Sequence, residues 1–154
     1  MEQQIRYYAG QEIEISYDVR RCIHAAECLR GLPEVFHNAR RPWIEPAGAL
    51  PDEIAAVIER CPSGALHYKR LDGGLAEAPD DPATIVPTRN GPLYVRGLVQ
   101  LRGADGAVLI EDTRMTLCRC GASRNKPFCD NSHRKAGFTD DVGLTEARGG
   151  ADGA

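Results

Sequence analysis

Between residues 12 and 17 apolar and polar positions alternate, with Ile13 and Ile15 on one side and Glu12, Glu14 and Ser16 on the other. That period of two predicts a half-buried strand, and residues 4–8 supply a partner across the turn at Gly10-Gln11. The stretch from Cys22 to Gly31 reads as a loop entering a short helix, closed by Gly31 and Pro33. Short strands are expected at Val35-Phe36 and Trp43-Ile44, around the turn over 38–42. Residues 51–60 carry the plainest helical period. Pro51 suits the first helical position, Asp52 and Glu53 suit the positive end of the dipole, and Pro62 stops the run. Ile54, Val57, Ile58 and Cys61 then share one stripe, and a strand over 65–71 follows.

Periodicity fades over 72–90, where Gly, Pro and Asp gather as in a linker. It returns in a strand over 92–101, bulged at Gly97, and turns at Gly103-Ala104-Asp105-Gly106 into Val108-Leu109-Ile110. A further strand, Thr113 to Leu117, delivers the chain to Cys118. After Phe138 the chain turns polar and Gly-rich and reads as a flexible tail over 141–154.

Composition narrows the class. Of 154 residues 42% are apolar but only 6% aromatic, and mean hydropathy is −0.37, so the core is modest. Two small modules need help beyond packing, and metal-centred staples would supply it. A net charge of −3 and a pI of 5.8 argue against a nucleic-acid partner. No apolar run is long enough to span a membrane, and the polar start Met1 to Arg6 lacks a secretory h-region. The expected location is cytoplasmic.

Six cysteines change the picture most. They fall as Cys22, Cys28 and Cys61, then as Cys118, Cys120 and Cys129. Three per half cannot all pair within their half, and in a cytoplasmic protein thiolate ligation of metal is the better reading than disulfides. Cys118 and Cys120 sit two apart at a strand end, so their side chains share a face and can clip one metal. Gly121 and Pro127 bound a tight loop back to Cys129. With Asp130 or Ser132 capping a short helix, Cys129 and His133 lie about one turn apart and form a second clip. Two two-ligand clips suit a 2Fe–2S rhomb. Three thiolates and one imidazole also suit a structural zinc, whose paired ligands usually stand farther apart in sequence.

The run Cys118, Cys120, Ser123, Pro127, Cys129, Asp130, Ser132, His133 resembles the CDGSH iron–sulfur domain family over roughly residues 90–140. Asn131 stands where that family has glycine, and Asn tolerates left-handed backbone better than most residues. The resemblance implies a 2Fe–2S cluster on Cys118, Cys120, Cys129 and His133, and a β-rich homodimer. One neutral imidazole in place of a thiolate raises the reduction potential. It also makes cluster loss acid-sensitive. His133→Cys is therefore expected to hold its colour at a pH that bleaches the wild type, while its potential falls.

Cys22-Ile23-His24-Ala25-Ala26-Glu27-Cys28 is the ferredoxin spacing with alanine at the middle cysteine, and Cys61-Pro62 supplies the usual last element. Residues 10–71, including Arg41-Pro42-Trp43-Ile44 and Cys61-Pro62-Ser63-Gly64-Ala65, resemble a divergent mono-cluster ferredoxin domain. The resemblance implies a second cluster on Cys22, Cys28 and Cys61. It is 3Fe–4S, or 4Fe–4S with a fourth ligand from solvent or a side chain. His24 is near enough to reach it, though its plainer role is a hydrogen bond to sulfur or exposure to water. A site without metal, with three small core cysteines, is the blandest alternative. His37 and His67 read as surface residues, and Phe36 and Trp43 as core.

Arg20, Arg21 and Arg30 flank the first site, and Arg119, Arg124, Lys126, Arg134 and Lys135 flank the second. Together they could stabilise anionic clusters and steer an acidic partner, while each alone reads as a solvated loop residue. The expected fold is α+β. A ferredoxin-like α/β module over 1–71 and a linker over 72–90 precede a β-rich CDGSH-type module over 91–140. The expected function is electron transfer without a catalytic site of its own, to a redox partner protein. The alternatives are cluster storage or delivery to an apo-acceptor, and structural zinc.

Overall fold

The computed structural model describes residues 3–140, so the tail expected over 141–154 lies outside the described residues. The chain divides into two compact units that part between Ala78 and Pro79. Each is built on one small three-stranded sheet, and among the described residues the short helices fall mostly in the first unit, with a single one in the second. No helix among the described residues is long and apolar enough to cross a membrane.

In the N-terminal unit β1 (Ile5–Ala9) and β2 (Ile13–Asp18) form an antiparallel hairpin, and β3 (Leu66–Arg70) pairs antiparallel with the far side of β2. The alternation at Ile13 and Ile15 points both inward, where they meet Ile54, Val57 and Ile58 of α2 (Pro51–Ile58). Val35, Phe36, Ile44 and Leu66 complete the buried cluster. Each side chain of this size stabilises by about 1.5–3 kcal/mol when fully buried. The start of α2 is secured by Glu53, whose carboxylate accepts from the Leu50 amide at 3.1 Å. The helix ends at Ile58, two residues before the expected limit, so Cys61 belongs to the turn beyond it, its amide donating to the Ile58 carbonyl. The two short strands at 35–36 and 43–44 reduce to one bridge pair, Phe36 with Ile44. The short helix α1 (Glu27–Gly31) packs close to α2 because Gly31 has no side chain: a Cβ there would stand 3.2 Å from Val57.

Arg70 ends β3 in a double ion pair, gripping Asp72 through two bonds of 2.8 and 2.6 Å and Asp52 of α2 at 2.7 Å. Arg70, with help from the Gly74 amide, holds the Asp72 carboxyl down to about 2. A carboxyl depressed in the folded state stabilises the fold above its ordinary value and stops doing so as pH falls through the depressed one. The difference in thermal midpoint between wild type and Asp72→Asn should therefore be full at pH 6 and narrow between pH 4 and 2. A difference that stays constant over that range would remove the clamp from the account.

In the C-terminal unit β5 (Leu93–Arg102) is central, flanked antiparallel by β4 (Thr84–Pro87) and β6 (Val108–Leu117). The register slips between Arg96 and Val99, as the bulge at Gly97 requires. Gly97 stands at φ 119°, and a Cβ there would come within 2.7 Å of the Ala83 backbone. Two expectations are corrected here. Residues 84–87, placed in the linker, are a strand. They gave no alternating signal because Ile85 and Val86 are 66% and 50% exposed on a sheet edge, where Pro87 costs no ladder bond. The separate strands at 108–110 and 113–117 are one: Glu111 and Asp112 interrupt the apolar pattern, yet they pair with Gln100 and Val99 across the sheet. The buried cluster is small, with Val95, Met115 and Phe128 at its centre.

Candidate metal centres

At the end of β6 the backbone closes a tight loop. The Cys118 amide donates to the Pro127 carbonyl at 2.8 Å, and the Cys129 amide donates to Thr116 at 2.9 Å. Leu117 and Phe128 thus pair as a two-residue extension of the sheet, which brings Cys129 beside Cys118. Ser123, buried within the loop, donates its hydroxyl to the Phe128 carbonyl at 2.6 Å and accepts from the Asn125 amide. Cys118, Cys120, Cys129 and His133 line a single concavity together with Ser123 and Asp130. His133 comes from α3 (Ser132–Lys135).

The donors arrive as pairs. Cys118 and Cys120 sulfurs stand 3.8 Å apart, and Cys129 Sγ stands 3.7 Å from His133 Nδ1. Two donors at about 2.0–2.3 Å from a shared tetrahedral metal lie roughly 3.6–3.8 Å apart, so each pair has the span of one metal's edge. Among the described residues no three such side chains gather round one point as a lone ion needs. The donor set fits a two-metal cluster.

Backbone amides already face the sulfurs: Ala122 N–H approaches Cys120 Sγ, and Asn131 N–H approaches Cys129 Sγ, each at 3.3 Å. Burial pushes the Cys118 thiol up, but the amides of Ser123 and Gly121 outweigh it and bring it below its ordinary value. Cys129 goes the other way, raised by burial and then by the charges of Asp130, Cys118 and Cys120. Burial, then Arg134, holds His133 toward its neutral form, the form in which imidazole binds metal.

Asn131 is the residue before α3 and takes φ 68° with no side-chain cap. The cap comes from Asp130, whose carboxylate accepts from the Ser132 amide at 3.0 Å and from the Arg124 amide at 2.9 Å. Left-handed backbone costs an L-residue about 1–2 kcal/mol, with Asn and Gly excepted. Asn131→Gly should therefore match or slightly exceed wild-type stability, while Asn131→Val should lose about that much and release iron faster. Equal thermal midpoints for the two variants would contradict this.

In the N-terminal unit Cys22 follows β2, Cys28 sits in α1, and Cys61 follows α2. All three line one cavity, with Tyr17, His24 and Trp43 on its wall. Trp43, expected in the core, is half-buried and stacks edge-on with Tyr17 at 4.9 Å, so it serves both the core and the cavity. Burial, and next the neighbouring Cys61, push the Cys28 thiol up to about 11. Were all three ionised they would repel one another, and a cationic metal, if bound there, would relieve that repulsion.

Two arginines read individually as solvated loop residues are structural. Arg21 is 5% exposed and donates Nη2 to the Ser63 carbonyl at 2.8 Å, tying the Cys22 segment to the Cys61 segment. Arg119 donates to the carbonyls of Gly91 and Thr88, pairs with Asp140 at 3.0 Å and lies 5.1 Å over Phe138. Only their place beside a cysteine could have flagged them.

Two modules, each bringing three cysteines to one concavity, have the donor chemistry of metal-binding domains. Residues 8–71 match the divergent 4Fe–4S mono-cluster family and residues 90–134 match the iron-binding zinc finger of CDGSH type. The chain belongs to the divergent mono-cluster family and carries a CDGSH-type domain after it. It is 38% identical over 64 residues to the uncharacterized protein YjdI of Escherichia coli strain K12, and equally to that of Escherichia coli O157:H7. The match covers 42% of this chain and 84% of either relative. No solved structure matches the chain.

Proposed function

We propose that this protein is an electron carrier holding a 2Fe–2S cluster on Cys118, Cys120, Cys129 and His133. A second cluster, 3Fe–4S or 4Fe–4S, sits on Cys22, Cys28 and Cys61 in a ferredoxin-like α/β module. The observation that carries this is the pairing of the C-terminal donors at 3.8 and 3.7 Å. Such a cluster, when bound, accepts and returns one electron. The chain's own residues hold it, set its charge with three thiolates and one imidazole, and tune it through the amides of Ala122 and Asn131. The protein works in the cytoplasm without catalysis of its own, as a homodimer, with a redox protein as partner and neither nucleic acid nor membrane.

Cluster storage or delivery is the second reading. It is favoured by the half-exposed position of Cys118, Cys120 and His133, which leaves that corner open to a thiol acceptor. Protein purified without oxygen should be coloured and contain iron and acid-labile sulfide. It should also cycle between redox states with its iron retained. Transfer of colour to an apo-acceptor on mixing would favour delivery, and a colourless zinc protein would end both readings.

A further inference from the structure

The register of the first hairpin carries an arginine onto the core side of its sheet. Arg6 stands opposite Tyr17 and Tyr8 opposite Ile15, and directly opposed residues of an antiparallel pair share a face. Ile13 and Ile15 bury that face against α2. At the Arg6–Tyr17 end a cavity of about 580 Å³ remains, and no residue of α2 lines it. Arg6, Tyr8 and Tyr17 wall it from the sheet, and Asn38, Arg41 and Trp43 from the turn that follows α1. Cys22 and Cys28 line it as well, so it adjoins the three-cysteine cavity, with which it shares Tyr17 and Trp43. The Tyr17 hydroxyl donates to Cys22 along this common wall.

The volume is that of a small-molecule pocket, and the lining narrows what it takes. Tyr17 and Trp43 meet edge to face at 4.9 Å. With Tyr8 they make an aromatic wall that suits a flat ring. Charge is the second constraint. Acidic residues outnumber Lys and Arg in the chain, 22 to 19, yet this cavity is lined by two arginines and no Asp or Glu. Among the described residues neither Arg6 nor Arg41 has a carboxylate partner. Arg41 is held in place by its own turn, Nη1 donating to the carbonyls of Asn38 at 2.9 Å and Arg40 at 2.7 Å. A guanidinium is a planar fork whose geometry matches a carboxylate.

We infer that this cavity binds a small planar aromatic carboxylate, its ring against Tyr8, Tyr17 and Trp43 and its charge on Arg6 and Arg41. Such a ligand lies beside Cys22 and Cys28. Binding there needs no metal on those cysteines, so the inference stands apart from the electron-carrier reading.

Equilibrium dialysis of the full chain, purified without oxygen, tests this with naphthoate as the probe. Naphthoate should be retained, the uncharged naphthamide far less, and acetate should not displace it. Arg6→Gln and Arg41→Gln should each weaken retention by about 2- to 5-fold, the range for exposed ion pairs, and the double variant by more than either. Lys69→Gln removes the same charge from the other face of the sheet, where Lys69 pairs with Glu14, and should bind as the wild type does. Arg6 is exposed and makes no ion pair, so Arg6→Gln should keep the wild-type thermal midpoint, which separates lost binding from lost folding. Failure to retain naphthoate at millimolar concentration would overturn the inference. So would equal retention of naphthamide, displacement by acetate, or wild-type affinity in the double variant.

Discussion

Stripping iron with a chelator under reducing conditions is expected to unfold the C-terminal unit and leave the N-terminal sheet standing. The two units differ in how much apolar surface holds them. Nine side chains are buried in the N-terminal cluster against three in the C-terminal one, Val95, Met115 and Phe128. Phe128 is carried on the same loop that bears the donors, so its burial depends on that loop staying closed. Without metal the closure falls to a few hydrogen bonds, chiefly Cys118 to Pro127, Cys129 to Thr116 and Ser123 to Phe128. A net hydrogen bond is worth about 0.5–1.5 kcal/mol, whereas a structural metal site contributes on the order of 10 kcal/mol to folding. Amide hydrogen exchange separates the outcomes. Protection should vanish from Leu93–Arg102 and Val108–Leu117 on chelation, persist in Ile13–Asp18 and Leu66–Arg70, and return on reconstitution with iron and sulfide. Undiminished protection in β5 and β6 would make that sheet self-sufficient and the metal a passenger.

Features that depend on near neighbours in sequence were legible before the fold was known. The hairpin of β1 and β2 was visible because Ile13 and Ile15 alternate with charges, and α2 because Ile54, Val57 and Ile58 recur at helical spacing. The C-terminal donors were visible because a tight loop brings them together within sixteen residues. Asn131 was also foreseeable, since it occupies a left-handed position that few residues tolerate. The features missed depend on long-range contacts. β4 owes its existence to pairing with β5, not to any burial pattern of its own. The continuity of β6 through Glu111 and Asp112 comes from its partner strand. Arg21 finds its acceptor 42 residues away at Ser63, and Arg119 reaches back 31 residues to Thr88. A charged side chain looks solvated in sequence unless its partner is known.

Arg21→Met should loosen iron binding at the N-terminal site by about 10- to 100-fold, the usual cost of losing a residue that supports metal ligands from behind. Cys22 is its immediate neighbour, and Ser63, its acceptor, stands two residues after Cys61, with Oγ 3.5 Å from the Cys61 sulfur. The guanidinium therefore fixes the spacing of two ligand segments just beyond the end of the β2–β3 ladder, whose last pair is Tyr17 with Leu66. Methionine keeps the length and apolar stem but donates nothing, which leaves a buried carbonyl without its partner at a cost of about 1–3 kcal/mol. It also removes a buried positive charge beside crowded thiolates. Arg21→Lys keeps the charge but not the planar fork, so it should recover part of the loss. Arg20→Ala, at an exposed neighbouring position, should release iron to a chelator at the wild-type rate. If Arg21→Met also matches the wild type in that assay, the link between Arg21 and Ser63 contributes to folding alone.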